Sequence, residues 1–298
     1  MIDTGKLPDV KLAIIGGSGV YAIDGLKDIK TINITTPFGS PSDPITIGTI
    51  DGVSCAFLPR HGKGHRFTPS EVNSRANIFA LKMLGVKKII AISACGSLRD
   101  DYKPRHFVLP DQIFDRTKNR PLSFFSNGIV GHIAFATPFC ACLRETLHKS
   151  VRELGIEHHN GGTYVCIEGP QFSTRAESLF YQKSGFDLIG MTAIPEAKLA
   201  REAEICYAMV ALITDYDAWK ENDEVTPEVV LSVMKENNSN VERLIKYVLP
   251  KIADNTACIC ATQCQSALKN AIYTAPELIS EKIKEDLAPL ISKYIKVQ

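Results

Sequence analysis

A chain of 298 residues is long enough to bury a large core without help from metal or disulfides. Its 34 Lys and Arg stand against 33 Asp and Glu, a net of +1, which argues against a protein that wraps nucleic acid or another polyanion. Hydrophobic content of 45% with 22% charged residues is that of an ordinary globule, with no apolar run near the ~18 residues of a membrane span and no apolar stretch in Met1–Val10 for a secretory leader, so a cytoplasmic location is expected.

In chain order, Leu12–Gly16 predicts a buried strand ending in glycine. Ile45–Ile50 and Val53–Leu58 predict a hairpin about Asp51-Gly52. Ser70–Leu84 predicts a helix with Ala76, Phe79, Ala80, Met83 and Leu84 on one face, and Lys87–Ile92 a strand running into Ser93-Ala-Cys-Gly-Ser97. Helix Cys142–Leu154 stops at Gly155; strand Thr163–Ile167, helix Arg175–Lys183, strand Leu188–Met191, helix Pro195–Glu204 and strand Tyr207–Thr214 follow. Pro227 opens a long helix to about Ile252, and the tail is helical over Glu277–Tyr294 with a break at Pro289.

This alternation predicts one α/β domain over residues 1–298, with a central mixed β-sheet flanked by helices. Residues 1–10 read as a flexible N-terminal segment and 265–298 as a C-terminal helical tail.

Nine cysteines, Cys55, Cys95, Cys140, Cys142, Cys166, Cys206, Cys258, Cys260 and Cys264, are many for a cytoplasmic protein. None stands in the CxxC spacing with matching His of a structural zinc site, so no metal is expected. Buried small hydrophobes are one reading, and the intracellular disulfides of thermophiles the other.

Polar clusters follow the predicted strands, where open α/β sheets gather ligands. Gly16-Gly-Ser-Gly19 offers close backbone approach to an anion, although it lacks the full dinucleotide and P-loop patterns and a tight turn explains it as well. Pro59-Arg-His-Gly62 offers an oxyanion clamp, against a solvated polar loop. Ser93-Ala-Cys-Gly96 suits backbone contact with a ligand or a packed turn, and no activating base lies beside Cys95 in sequence. Thr214-Asp-Tyr-Asp-Ala-Trp219 puts two carboxylates two residues apart, which share a side if the strand continues. Mutual repulsion and burial would then keep one protonated for acid catalysis, against a simple helix-capping pair.

Together these clusters resemble the trimeric purine nucleoside phosphorylase superfamily, and within it the 5′-methylthioadenosine phosphorylases. The resemblance runs from about Leu12 to Glu236. It is carried by Ile15-Gly-Gly-Ser-Gly19, Thr36-Pro-Phe-Gly-Ser-Pro-Ser42, Arg60-His-Gly62, Asn73-Ser-Arg-Ala-Asn77 and Ala94-Cys-Gly-Ser97. Glu168-Gly-Pro-Gln-Phe-Ser173, Gly190-Met-Thr192, Pro195-Glu196 and Thr214-Asp-Tyr-Asp217 continue it.

The resemblance implies a nucleoside phosphorylase-like fold and a phosphate-dependent glycosidic cleavage without organic cofactor, inorganic phosphate being the co-substrate. It implies that Ser18, Arg60, His61, Ser93, Ala94 and Thr192 hold phosphate, with Met191 against the ribose. Phe172 would flank the purine, with Ser173 and the catalytic Asp215 and Asp217 along its polar edge. A protonated Asp215 would donate to N7 as the purine leaves. Pro227, Val230 and Leu231 would line an apolar 5′ pocket, and His132 would enter from a neighbouring subunit of a homotrimer or a dimer of trimers.

Specificity turns on a few positions. Ser173, Asp215 and Asp217 favour adenine, because a carboxylate accepts from a 6-amino group. Gly190 replaces the Asn of many methylthioadenosine enzymes and resembles the 6-oxopurine branch, whose substrates would be methylthioinosine, inosine or guanosine. Gly131 before His132 and Ser93 in place of Thr are milder departures. The tail resembles an archaeal branch with disulfides, which implies Cys140–Cys206 and Cys258–Cys260 as pairs. A purine- or NAD-binding protein without catalysis draws only on the first glycine turn, and a phosphate-independent hydrolase leaves six anion contacts without purpose.

Overall fold

The computed structural model describes residues 7–17, 24–221, 226–253, 258–260 and 263–296. Strands β1 (Leu12–Gly16), β2 (Lys27–Ile32), β3 (Ile45–Ile50) and β4 (Val53–Pro59) precede helix α1 (Ser74–Met83). Then come β5 (Lys88–Ser97), β6 (Phe107–Leu109), β7 (Gln112–Arg116), α2 (Ala141–Glu153), β8 (His158–Asn160) and β9 (Thr163–Ile167). The chain continues through α3 (Arg175–Lys183), β10 (Leu188–Gly190), α4 (Ala193–Glu202), β11 (Cys206–Asp215) and α5 (Pro227–Ala253). Two short helices, α6 (Glu281–Asp286) and α7 (Ala288–Ile291), lie in the tail, Pro289 sitting in the first turn of α7 where its missing N–H costs nothing.

Among the described residues, eleven strands form one mixed sheet. Its spine runs β2-β3-β4-β1-β5-β10-β9-β7, with β11 paired along β5 from Lys88 to Gly96 and β6 and β8 beyond it. β1, β4, β5 and β11 run parallel to their neighbours in this centre, so their carboxyl ends emerge on one side.

Both faces of the sheet are covered, which is why β11 reads as a continuous apolar run. Tyr207, Met209, Ala211 and Ile213 pack on the face that also holds α1 and α4. Cys206, Ala208, Val210 and Leu212 pack on the face under α2 and α5.

The hairpin forms as expected, Ile50 pairing with Val53 while Asp51 (φ 48°) and Gly52 (φ 81°) take the left-handed turn. Helix α1 starts four residues later than Ser70, because the Asn73 side chain caps the Ala76 N–H while its amide donates to the Phe38 carbonyl at 2.7 Å. The polar edge strands β2 and β7 escape the pattern reading, having alternate or continuous exposed positions. In the N-terminal segment, Leu7 packs on the core and Val10 is buried, its N–H bonded to the Leu84 carbonyl, so these residues are docked rather than loose.

The implied disulfides Cys140–Cys206 and Cys258–Cys260 are absent: Cys140, Cys206 and Cys258 stand as thiols. Their sulfurs converge in one group instead of two separate pairs.

Candidate active site

The site is assembled where β4, β5, β10 and β11 end. Arg60 follows β4 and is only 3% exposed, a position that demands a counter-charge. Glu196, on α4 and 1% exposed, supplies it: its carboxylate receives Arg60 Nε and, at 3.0 Å, Nη2. Nη1 donates to the Ile92 carbonyl at 3.0 Å, and the Tyr207 hydroxyl donates to Glu196 at 3.0 Å. The guanidinium is thus fixed in plane beside the carboxyl half of β5.

His61 comes next. Its Nδ1 lies 2.9 Å from the Phe67 carbonyl and must donate to it, which leaves Nε2 as an acceptor in the neutral ring. Burial, and then the neighbouring Arg60 charge, bring its pKa down to about 4, so the ring is neutral at pH 7.

Ser93, buried on β5, places its hydroxyl 2.8 Å from that of Thr192, the residue that opens α4. Thr192 is also held by the Tyr164 hydroxyl at 3.3 Å. Ala94 and Met191 are half-buried beside them. Arg60, His61, Ser93, Ala94 and Thr192 therefore meet at the ends of β4 and β5 and the start of α4. Ser18 lies outside the described residues.

The aspartates meet by a different route from the one strand alternation suggests. β11 ends at Asp215, and Asp217 turns back in the left-handed region (φ 52°) to begin a short helical turn, Asp217–Trp219. This turn brings the Asp217 N–H onto Asp215 Oδ1 at 2.8 Å, while Asp215 Oδ2 lies 2.6 Å from the Thr214 hydroxyl. Gly96 makes room: a Cβ there would stand 2.9 Å from Asp215 Oδ1 and 3.2 Å from Asp217 Cβ.

Burial and then the Asp215 charge push Asp217 up to about 6, against the pull of the Ser178 hydroxyl. Ser173 Oγ, Ser178 Oγ and Asp217 Oδ2 are all buried and make no hydrogen bond of good geometry. Two such hydroxyls beside the Asp217 carboxyl form a polar wall suited to a ligand's donors and acceptors. Cys95 is buried nearby, its thiol pushed well above the ordinary value by desolvation and then by Asp215, so it is no nucleophile at neutral pH.

Comparisons with known proteins identify the family. The sequence profile described as the phosphorylase superfamily matches residues 11–250. Over 286 residues the chain is 49% identical to the S-methyl-5'-thioadenosine phosphorylase of Geobacter sulfurreducens, spanning 95% of this chain and 99% of the relative. It is 50% identical over 285 residues to the enzyme of that name from Chloroflexus aurantiacus, spanning 95% and 98%. The chain belongs to the S-methyl-5'-thioadenosine phosphorylases of the phosphorylase superfamily.

Solved relatives have the same fold. A methylthioadenosine phosphorylase from an antarctic soil metagenomic library superposes with a TM-score of 0.89 at 45% identity, covering 96% of this chain and 99% of that one. A variant of the adenosine/methylthioadenosine phosphorylase of Schistosoma mansoni, in complex with methylthioadenosine, gives 0.81 at 37% identity, covering 88% and 99%.

Other expected family positions stand apart. Phe172 is 48% exposed. His132 is exposed, its backbone tied to Ala271 and its ring edge-on to Tyr273, and it makes no described contact with the anion or aspartate groups. On α5, Pro227 and Leu231 are exposed and Val230 half-buried.

Sequence reasoning gives no role to Glu196, Tyr164 and Arg120. Arg120 is buried and donates to the carbonyls of Met191, Ile194, Ile167 and Glu168, binding the loops after β9 and β10 together. The missing signal is spatial: Arg120 sits alone in a polar loop, and its partners lie 47 to 74 residues away. Tyr164 also accounts for Gly190. A Cβ at 190 would collide with the Tyr164 hydroxyl, with Cζ only 2.7 Å away, so a larger side chain has no space here.

Proposed function

We propose that this chain catalyses the phosphate-dependent cleavage of 5′-methylthioadenosine to adenine and 5-methylthioribose 1-phosphate, with adenosine as a secondary substrate. The observation that carries this reading is the pairing of an anion cradle with a protonatable carboxyl at a nucleoside's spacing. Ser93 and Gly96 are three residues apart on one strand, about 10 Å, which is the room a ribose and the near edge of a purine require.

Phosphate sits on the Nη1–Nη2 edge of Arg60, between the hydroxyls of Ser93 and Thr192 and the backbone of Ala94. Neutral His61 accepts the O–H that phosphate keeps at pH 7, so the anion is bound without a proton being lost. As the C1′–N9 bond lengthens, positive charge builds on the sugar above the phosphate oxygens and negative charge flows into the purine. A phosphate oxygen forms the new bond to C1′, the N9 electron pair leaves with the base, and a carboxylic proton passes to N7.

The geometry supports Asp217 as the carrier of that proton in the unliganded protein, in place of Asp215. Asp215, held by its two donors, accepts from the 6-amino group. Both carboxyls belong to one pair, and their titration is shared. Met191 lies along the ribose, Phe172 on the base and Ser173 at its polar edge. No metal and no organic cofactor takes part in this chemistry.

The 6-oxopurine reading loses its ground: the relatives are methylthioadenosine enzymes, and Gly190 answers to Tyr164. The exposed His132, with no described contact to the cradle residues, accords with a homotrimer or a dimer of trimers in which a neighbour's His132 closes the 5′ end beside Val230 and Leu231. A cytoplasmic location accords with substrate chemistry, and no described helix is long and apolar enough to cross a membrane.

The test is product analysis of methylthioadenosine, adenosine, inosine and methylthioinosine with and without phosphate. Adenine released only when phosphate is present is the expected result. Release without phosphate, or faster cleavage of the inosines, overturns the proposal.

A further inference from the structure

At the end of β11 remote from the aspartates, six cysteines come together: Cys140, Cys142, Cys206, Cys258, Cys260 and Cys264. Cys140 occupies the N-cap of α2 without capping it, Cys206 opens β11, and Cys264 opens a short turn, Cys264–Ser266, beyond α5. The Sγ atoms of Cys140, Cys206, Cys258 and Cys264 all lie within 4.8 Å of one another, and those of Cys140 and Cys258 within 3.6 Å. Three of these residues are almost fully buried.

We propose that Cys140, Cys206, Cys258 and Cys264 bind one zinc ion as four thiolates. Four Zn–S bonds of about 2.3 Å place tetrahedral sulfurs about 3.8 Å apart, so the side chains need move little to close on the ion. A single ion suits sulfurs this close; a polynuclear iron–sulfur cage requires them spread more widely. Donors from three separate parts of the fold, and no water-bearing position, make the site structural.

The surroundings fit a tetrathiolate. Four thiolates on Zn²⁺ leave two negative charges, and two features of the fold oppose them. The N-terminus of the 13-residue helix α2 points its partial positive charge at Cys140. Lys88 pairs with Cys206 across the β5–β11 ladder and is buried on the same face, its ammonium 3.3 Å from the Ile252 carbonyl. Cys260 Sγ, 3.6 Å from Cys264, is placed to donate an S–H bond to that zinc-bound sulfur.

The ion would fasten the chain beyond α5 to α2 and to the amino end of β11. Cys206 is nine residues along β11 from Asp215, about 30 Å, so the ion serves the fold and leaves the chemistry alone.

The experiment starts from full-length protein produced in zinc-supplemented medium and purified under reducing, anaerobic conditions. Elemental analysis should find about one zinc per chain. Replacement by Co²⁺ should give intense tetrahedral d–d bands and thiolate-to-cobalt charge transfer. Cys206→Ser and Cys264→Ser should lose the bound zinc, and Cys142→Ser should keep it. Should the ligand variants fail to fold, the cobalt spectrum of the unmodified protein still decides. Removing zinc with a chelator should lower the thermal midpoint while leaving kcat/KM for methylthioadenosine at low temperature unchanged.

Three results overturn the proposal. Reduced protein that takes up neither Zn²⁺ nor Co²⁺ is one. Mass mapping that finds Cys140–Cys206 and Cys258–Cys260 disulfides in protein purified this way is another. Chelation that lowers activity without moving the midpoint is the third.

Discussion

Replacing Glu196 by Gln isolates the group that holds Arg60, the arginine proposed to bind phosphate. The carboxylate receives three donors, two from Arg60 and one from Tyr207, in a setting where both charged side chains are almost wholly buried. The amide in its place would keep one acceptor oxygen, turn an N–H₂ toward a donor and leave the guanidinium charge unbalanced. Breaking a buried pair from one side costs about 3–5 kcal/mol, a large part of the ~5–15 kcal/mol that holds a domain together.

Binding should suffer selectively. Loss of a charge-assisted hydrogen bond is worth ~1.5–3 kcal/mol, so KM for phosphate should rise roughly 10- to 100-fold. KM for methylthioadenosine at saturating phosphate should change little. Urea unfolding and initial rates over a phosphate series measure both effects, and phosphate should restore part of the lost stability by mass action. A Glu196→Gln protein with unchanged unfolding and unchanged phosphate KM would refute the reasoning that Arg60 is positioned through Glu196.

Asp217→Asn should lower kcat on the order of 10²-fold. It should also remove the fall in kcat/KM expected in the normal protein as pH rises through about 6, where the acid form is lost. Asp215→Asn should slow adenine release and shift preference toward 6-oxopurines, which the ratio of rates on methylthioadenosine and inosine would show.

Glu202 is pushed up to about 7 by burial, against hydrogen bonds from Ser123 and Phe124. Its raised pKa makes the folded state bind the proton more tightly, so stability falls as pH climbs from the ordinary 4.5 to about 7. The loss is about 3 kcal/mol by linkage, and Glu202→Gln should flatten that window in urea titrations. Gly190→Ala should cost about 1–3 kcal/mol by overpacking on Tyr164, and a cycle with Tyr164→Ala should be strongly non-additive.

The strands and helices of the centre are legible because both kinds of period are written in apolar residues, from Leu12–Gly16 to Tyr207–Thr214. The polar clusters are legible because ligands gather after strands. The failures have a common physical cause. β2 and β7 are edge strands with little apolar surface, so they leave no hydrophobic period. Glu196 meets Arg60 across 136 residues, and a counter-charge at that distance has no local signature. The cysteine cluster draws on positions between 140 and 264, so a search for CxxC spacing passes over it. Asp217 is legible too, but by an alternation argument that its left-handed turn replaces.

That turn depends on a detail of the ladder between β5 and β11. Cys95 pairs with Ile213, but Gly96 pairs with Asp215, so Thr214 is an extra residue bulged out of register. The bulge carries Asp215 over Gly96, where a side chain would exclude it. Gly96→Ala would put a Cβ 2.9 Å from Asp215 Oδ1 and 3.0 Å from Ile189 Cγ2. The carboxylate could swing aside only by breaking its bond from the Asp217 N–H or from Thr214. Each such bond is worth about 0.5–1.5 kcal/mol, so stability should fall modestly. Activity should fall far more, on the order of 10²-fold, because a displacement of about 1 Å at the reacting edge is enough for that. Rates on methylthioadenosine, read beside urea midpoints, separate the two effects. A Gly96→Ala enzyme with undiminished kcat would mean that Asp215 does not act from the position the bulge gives it.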